Sequence, residues 1–143
     1  MDTSVIGGCL DAEFADASEK FMRLVESGAV RLLVSELMIA ELRRAPVEAQ
    51  RVLERIPQGI MEELSATDQS RALRDAYLAA GVVGPSHIND AHHVALASVA
   101  RADMIVSWNF KHIVHYDKIR GFNAVNLREG YPLLAIYSPL EIV

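Results

Sequence analysis

Apolar residues recur along the chain with two different spacings. Short runs of consecutive apolar and branched residues, too short for helices, predict strands at 30–34, 104–107, 124–127 and 133–137. Between them, apolar residues spaced three or four positions apart predict helices. Parallel strands need long crossover connections, which helices of this length provide. The pattern therefore predicts an α/β domain with a mostly parallel sheet covered by helices on both faces.

The predicted helices have recognisable ends. The first ends near Gly28, and the third ends near Gly81, because glycine readily adopts the backbone conformation that closes a helix. Ser35 is a suitable cap for the second helix, which Pro46 interrupts. The fourth covers about 90–101 and is almost wholly apolar or small.

Composition narrows the class of protein. A chain of 143 residues with 51% hydrophobic residues is long enough to bury the core of one globular domain, residues 1–143. Because its net charge is −5, the protein does not attract nucleic acid through an overall positive charge. Cys9 is the only cysteine, so no internal disulfide forms. The first nineteen residues contain no Lys or Arg, and no apolar stretch reaches membrane-spanning length. We therefore expect a cytoplasmic protein without membrane association.

Four polar residues stand where strands are predicted to end or helices to begin. Asp2 precedes an apolar pair, Asp90 opens the apolar helix, and Asn109 follows the strand at 104–107. Glu41 lies within an apolar helix stripe, where a carboxylate needs a partner. Each acid alone has a structural explanation; Asp90, for example, is a suitable helix cap. Because strand ends and helix starts meet at one edge of a parallel sheet, we expect all four to converge on one pocket.

The four side chains form an oxygen-only ligand set. Three carboxylates and an amide suit Mg²⁺ or Mn²⁺ and are poorly suited to zinc. Their mutual repulsion requires either a bound cation or raised pKa values. A cation held by carboxylates can activate water and stabilise charge on a phosphoryl group. The ligand set therefore predicts a hard divalent cation.

The segment SWNFKHI, residues 107–113, follows a predicted strand. Trp108 and Phe110 offer rings that can stack on unpaired bases. A local basic strip follows, made of Lys111, His112, His115, Lys118 and Arg120. The alternative is that Phe110 and Ile113 belong to the core and that the charges form a solvated face. We favour the core for Phe110 and leave Trp108 open.

The adjacent histidines His92 and His93 suggest zinc at first sight. Their sequence, DAHH, lacks the spacing of known zinc signatures. We expect His93 to pack on the inner face of its helix near Asp90 and His92 to be exposed. Cys9 is expected to be an inert small apolar residue.

Four motifs in order resemble one family. DTSVIGG, SELMIAEL, NDAHHVALA and ADMIVSWNFKHI, with FNAVNLREGYP downstream, resemble PIN-domain proteins, specifically the VapC-like branch of type II toxin–antitoxin systems. The likeness covers nearly the whole chain. It implies a three-layer α/β/α domain that binds Mg²⁺ or Mn²⁺ and cleaves RNA as an endonuclease. It also implies a cognate antitoxin and a homodimer.

The resemblance assigns roles to the candidate residues. Asp2 matches the first acid of the family, Glu41 the second and Asp90 the third, while Asn109 occupies the position where many relatives carry a fourth acid. Asp2 and Asp90 are expected to bind the metal directly, and Glu41 to bind it or orient the attacking water. Asn109 offers an uncharged oxygen or holds a water on the metal. Thr3 or Ser4 is expected to support the site by hydrogen bonding.

Two departures from the family pattern bear on activity. Only Met1 precedes Asp2, so we expect a truncated opening strand in which Thr3–Ile6 pair in the sheet interior. Asn109 removes one charge, so a second metal would be held weakly. The alternative function is a catalytically weak PIN-like module that binds RNA or a partner protein. A haloacid-dehalogenase-type phosphatase is disfavoured, because that class needs a second Asp where this chain has Ser4.

Overall fold

Two pairs of parallel strands lie at the centre of the computed structural model, which describes residues 1–143. The strands are β1 (Leu32–Ser35), β2 (Met61–Leu64), β3 (Met104–Val106) and β4 (Ala135–Tyr137). The helices are α1 (Thr3–Gly8), α2 (Ala15–Glu26), α3 (Glu36–Arg43), α4 (Val47–Glu54), α5 (Asp68–Ala79), α6 (Ile88–Val99) and α7 (Tyr116–Arg128). Short 3₁₀ turns cover Gln58–Ile60, Pro85–His87 and Pro139–Glu141. None of the helices combines the length and the apolarity that a membrane crossing requires.

Helices cover both faces of the strands. β1 pairs with β2, with Leu32 opposite Met61, and β3 pairs with β4, with Met104 opposite Ala135. Successive strand residues point to opposite faces. Accordingly, Ile105 belongs to a hydrophobic cluster with α5, α6 and α7, whereas Val106 belongs to one with α1, α2, α3 and α4. This layering confirms the predicted α/β/α architecture with parallel strands.

The helix ends follow the sequence signals. Ser35 Oγ accepts a hydrogen bond from the Met38 backbone N–H at 3.1 Å and so caps α3, as predicted. Gly28 and Gly81 have φ of 77° and 72° just after α2 and α5, a conformation that favours glycine. Thr67 and Ser70 form a reciprocal capping box at the start of α5.

Two predicted strands need correction, and one observed strand was not predicted. Residues 124–127 are not a strand but part of α7, whose face buries Phe122 and Val125 and leaves Leu127 exposed. Strand β2 escaped prediction because its sequence MEEL carries two exposed acids between its apolar ends. Thr3–Ile6 do not pair in the sheet; they form the first turn of α1 and bury Val5 and Ile6 in the core. A short apolar run fits a helix or a strand equally well, so packing decides between them.

An apolar groove separates the two strand pairs. It has a volume of about 460 Å³ and is lined by Leu32 and Leu33 of β1 and by all three residues of β3. β1 and β3 do not hydrogen-bond to each other. Met1 also lines the groove, and the Asp2 backbone N–H donates to the Val106 carbonyl at 3.1 Å. The predicted opening strand is absent, and this single backbone hydrogen bond is the contact found at its position.

Candidate active site

Asp2 is a buried carboxylate held by two hydroxyl groups. Its side chain lies just before α1, and the residue is only 4% exposed. Ser4 Oγ donates to Oδ1 at 2.5 Å, and Ser107 Oγ donates to Oδ2 at 2.8 Å. No Lys, Arg or His side chain forms an ion pair with it. The Met1 amino group is a close but weak counter-charge, because burial lowers its pKa although Asp2 opposes the shift. A buried carboxylate with so little compensation is costly, so this position favours a cation.

The backbone after β3 orients both hydroxyl groups. The Trp108 N–H donates to Ser4 Oγ at 2.8 Å, and the Asn109 N–H donates to Ser107 Oγ at 2.9 Å. Each serine therefore accepts from the backbone and donates to Asp2. The hydrogen bonding predicted for Thr3 or Ser4 is thus observed between Ser4 and Asp2. Ser107 escaped prediction, although its place directly after a buried strand was a usable signal.

Glu41 is connected both to the start of α1 and to α6. Its Oε1 accepts from Thr3 Oγ1 at 2.8 Å and lies 2.6 Å from His93 Nε2. Burial on its own would raise the pKa of Glu41, but the hydrogen bond and charge of His93, with the Thr3 hydrogen bond, outweigh it and lower the pKa. Glu41 is therefore ionised at neutral pH. His93 faces inward, as predicted, and supplies the partner that a carboxylate on an apolar helix face needs.

Asp90 lies in the first turn of α6, one turn before His93. Residues three apart on a helix share a face, which brings Asp90 to the side of α6 that meets Glu41. His87 lies beside it, with Nδ1 3.5 Å from Asp90 Oδ2. The ring of His112 stacks on that of His87 with centroids 3.5 Å apart. Burial and the proximity of His87 lower the pKa of His112.

Asn109 shapes the turn that follows β3. Its Oδ1 accepts from the His112 N–H at 2.9 Å, and its backbone carbonyl accepts from Ile113 and Val114. An amide oxygen has two lone pairs, so one remains free for another donor or a cation. The structure thus gives Asn109 a structural role that sequence reasoning did not assign.

Hydrogen bonds connect some of the four predicted site residues indirectly, through neighbouring residues, and leave others unconnected. Glu41 bonds to Thr3, the neighbour of Asp2, and through His93 reaches the helix that carries Asp90. The oxygens of Asp2, Glu41 and Asp90 do not all come within 4.8 Å of one another, whereas His87, Asp90 and His112 do. The convergence of the predicted four on one metal stays a prediction.

Two aromatic residues of the SWNFKHI segment have opposite environments. Trp108 is 8% exposed, donates from Nε1 to Ser18 Oγ at 2.8 Å and packs on Phe14 with ring centroids 4.5 Å apart. Phe110 is 45% exposed, so its predicted place in the core is wrong, while Ile113 is fully buried as that alternative had it. Trp108 fills the core beside α1, which leaves Phe110 outside.

Two further predictions concern His92 and Cys9. His92 is not exposed; it is buried, and its Nε2 lies 3.3 Å from Ser70 Oγ because α5 packs over this side of α6. Burial, with Arg74 and His93 nearby, lowers its pKa. Burial raises the pKa of the Cys9 thiol to about 11, with Glu19 adding to the shift, so the thiol is protonated at neutral pH.

A comparison with protein families identifies the class. The family model described as PIN domain matches residues 1–111, more than half of the chain. The chain therefore belongs to the PIN-domain family, whose members are in general nucleases, hydrolases that act on nucleic acid. No curated protein and no solved structure matched the chain.

Proposed function

We propose that this PIN domain is a metal-dependent endoribonuclease that hydrolyses RNA phosphodiesters. The observation that carries the proposal is the buried Asp2 carboxylate, which hydroxyl groups orient but no cationic side chain neutralises. A divalent cation supplies the missing charge. The donor oxygens of Asp2, Glu41, Asp90 and Asn109 are of the type that Mg²⁺ and Mn²⁺ prefer, and the three carboxylates would have to move closer together to share one ion.

The residues divide the chemistry between them. Asp2 and Asp90 would hold the ion, and the free lone pair of Asn109 Oδ1 would bind the ion or a water on it. When bound, the ion would activate water and stabilise negative charge on the phosphoryl oxygens. Glu41 is ionised and fixed by Thr3 and His93, so it would bind the ion or orient the attacking water.

Exposed groups beside the site support RNA as the substrate. Phe110 is solvent-accessible and offers a ring for stacking on an unpaired base. Lys111 and His115 are exposed on the same loop, and Arg120 lies over the exposed ring of Tyr116 at 5.6 Å. This strip gives an acidic protein a local surface for phosphates.

We propose further that the enzyme is the toxin of a type II toxin–antitoxin pair, acting in the cytoplasm as a single-domain homodimer. The motif resemblance to the VapC-like branch supports this assignment. Exposed apolar side chains at and near the edge strand β4 offer a surface for an antitoxin or a second copy, namely Leu133, Tyr137 and Leu140.

The alternative function is a PIN-like module that binds RNA or a partner with weak catalysis. The neutral Asn109, whose oxygen already serves a turn, favours this alternative. A cleavage assay separates the two, using a panel of single-stranded and structured RNAs with Mg²⁺, with Mn²⁺ and with a chelator. The nuclease cleaves only with metal, and Glu41→Gln and Asp90→Asn each lower the rate about 100-fold.

The matched control is Asp75→Asn, which removes an exposed acid from α5 and should leave cleavage unchanged. RNA binding without metal-dependent cleavage would support the module instead. Equal rates for Glu41→Gln and the parent chain would contradict the active site proposed here.

A further inference from the structure

Three metal-binding side chains meet at the half-exposed start of α6. His87, Asp90 and His112 each place one potential ligand atom within 4.8 Å of the others. His87 and Asp90 are three residues apart, at the turn where the 3₁₀ segment Pro85–His87 continues into α6. His112 arrives from the loop after β3. The cluster therefore joins two separate parts of the chain.

The spacing of the cluster fits a metal better than a hydrogen bond. The 3.5 Å between His87 Nδ1 and Asp90 Oδ2 exceeds the usual 2.7–3.2 Å of an N–H···O bond. Two ligands at about 2.1 Å from one tetrahedral ion lie about 3.4 Å apart. Rotation of the two histidine rings would complete a three-residue site with an open position for water.

The backbone around the cluster is held in place. Asn109 Oδ1 accepts from the His112 N–H at 2.9 Å, and the next residue, Ile113, is fully buried. The other two ligands lie in consecutive helical turns. Only the histidine rings have to move: they are stacked with planes 26° apart, whereas a metal lies in the plane of each imidazole. Rotation of the imidazole about χ2 is soft, and His112 is only partly buried.

The donor types select the class of ion. Two imidazoles and one carboxylate suit Zn²⁺, Co²⁺ or Ni²⁺, whereas Mg²⁺ prefers oxygen ligands and retains its waters. We propose that His87, Asp90 and His112 form a second binding site for a borderline divalent ion of the Zn²⁺ class. This site is distinct from the oxygen-only site proposed at Asp2, Glu41 and Asp90.

Asp90 is shared between the two proposed sites, so the two ions compete for its carboxylate. An ion of the Zn²⁺ class draws the Asp90 carboxylate toward the histidines and away from the Mg²⁺ or Mn²⁺ position. Zn²⁺ is therefore expected to inhibit metal-dependent cleavage. This consequence rests on the proposed nuclease, but the binding site itself does not.

The test is binding of Zn²⁺ and Co²⁺ to the full chain, free of RNA. Zn²⁺ is titrated calorimetrically with excess Mg²⁺ present, and Co²⁺ is followed by its visible absorption, which reports nitrogen ligation and low coordination number. The parent chain should bind one Zn²⁺ that excess Mg²⁺ does not displace. His87→Gln and His112→Gln should each weaken binding about tenfold or more, and both ligands are half-exposed enough for the variants to fold.

Two controls locate the ion. His115→Gln removes an exposed histidine from the same loop, and Glu41→Gln alters the oxygen site; both should bind Zn²⁺ like the parent. Absence of Zn²⁺ binding, or parent-like binding by His87→Gln and His112→Gln, would overturn the proposal. Normal Zn²⁺ binding by a chain that cleaves no RNA would reject the proposed function and leave this site standing.

Discussion

The two aspartates of the candidate site, Asp2 and Asp90, lie in opposite surroundings. Asp2 is 4% exposed and receives two hydroxyl hydrogen bonds whose oxygens are oriented by backbone N–H groups. The side chain of Asp90 is 24% exposed, and its ion-pairing neighbour is a histidine at 3.5 Å that carries charge only when protonated. One carboxylate is thus fixed by the fold, while the other is free to adjust.

This difference between Asp2 and Asp90 explains how the two proposed metal sites can prefer different classes of ion. A carboxylate held by rigid hydroxyl groups keeps its position in the absence of metal, which suits a hard ion that demands precise geometry. A half-exposed carboxylate beside two imidazoles can serve either a hard ion or a softer one. Substitutions near Asp2 should therefore change the stability of the fold, whereas substitutions at Asp90 should change metal binding alone.

The largest effect on stability is expected at Gly8, whose missing side chain lets α1 pack closely against the loop after β3. A Cβ at this position would lie within 3.0 Å of Ser18 Oγ and Trp108 Nε1, both buried and bonded to each other. We expect Gly8→Ala to lower the free energy of unfolding by about 3 kcal/mol. Gly7→Ala is the control, because nothing lies within 4 Å and alanine favours a helix. Denaturant unfolding measures both, and equal stabilities would show that α1 is not tightly packed.

Ser107→Ala removes one of the two hydroxyl groups that hold Asp2. It leaves the Asn109 N–H without its acceptor and Asp2 Oδ2 without its donor, in a fully buried position. We expect a loss of about 2 kcal/mol, measured by urea unfolding. Ser65→Ala, at an exposed serine, should change stability by less than about 0.5 kcal/mol. A parent-like midpoint for Ser107→Ala would mean that Asp2 does not depend on its serines.

Sequence reasoning selected two residues, Asp2 and Asn109, that lie near the end of β3. Asn109 lies three residues after β3, and the Asp2 backbone bonds to the last residue of that strand, so both lie near the same strand end. The partners that orient the acids were harder to predict. Ser107 and His87 are common surface residue types, and only the packing of the loop after β3 against α1 and α6 gives them their contacts. The helix over 124–127 was missed because its apolar run fits either period.

The groove between β1 and β3 tests whether Asp2 is held as firmly as its hydrogen bonds suggest. Met1 lines this apolar groove, and burial lowers the pKa of its amino group. Adding about four apolar residues before Met1 would place a strand between the free edges of β1 and β3 and remove the buried amine.

We expect such an extension to stabilise the fold by about 2 kcal/mol, or about 4–8 °C in Tm. It should also tighten Mn²⁺ binding, since Asp2 would no longer lie next to a chain end. A Gly-Ser extension of equal length is the control, because it has no apolar side chains to bury. Identical Tm values for the two extensions would show that the groove does not accept a strand.

The smallest effect on stability is expected at Asp90. Asp90→Asn removes a half-exposed carboxylate that makes no hydrogen bond with its histidine neighbours, so the metal-free Tm should change by only about 1–2 °C. The same substitution should abolish most of the rise in Tm that millimolar Mn²⁺ produces, because a ligand that binds only the native state stabilises it in proportion to affinity. Differential scanning calorimetry of the parent and Asp90→Asn, each with and without Mn²⁺, measures both quantities. If Mn²⁺ does not change the Tm of the parent chain, Asp90 has no metal-binding role. If Asp90→Asn lowers the metal-free Tm strongly, both aspartates are fixed by the fold.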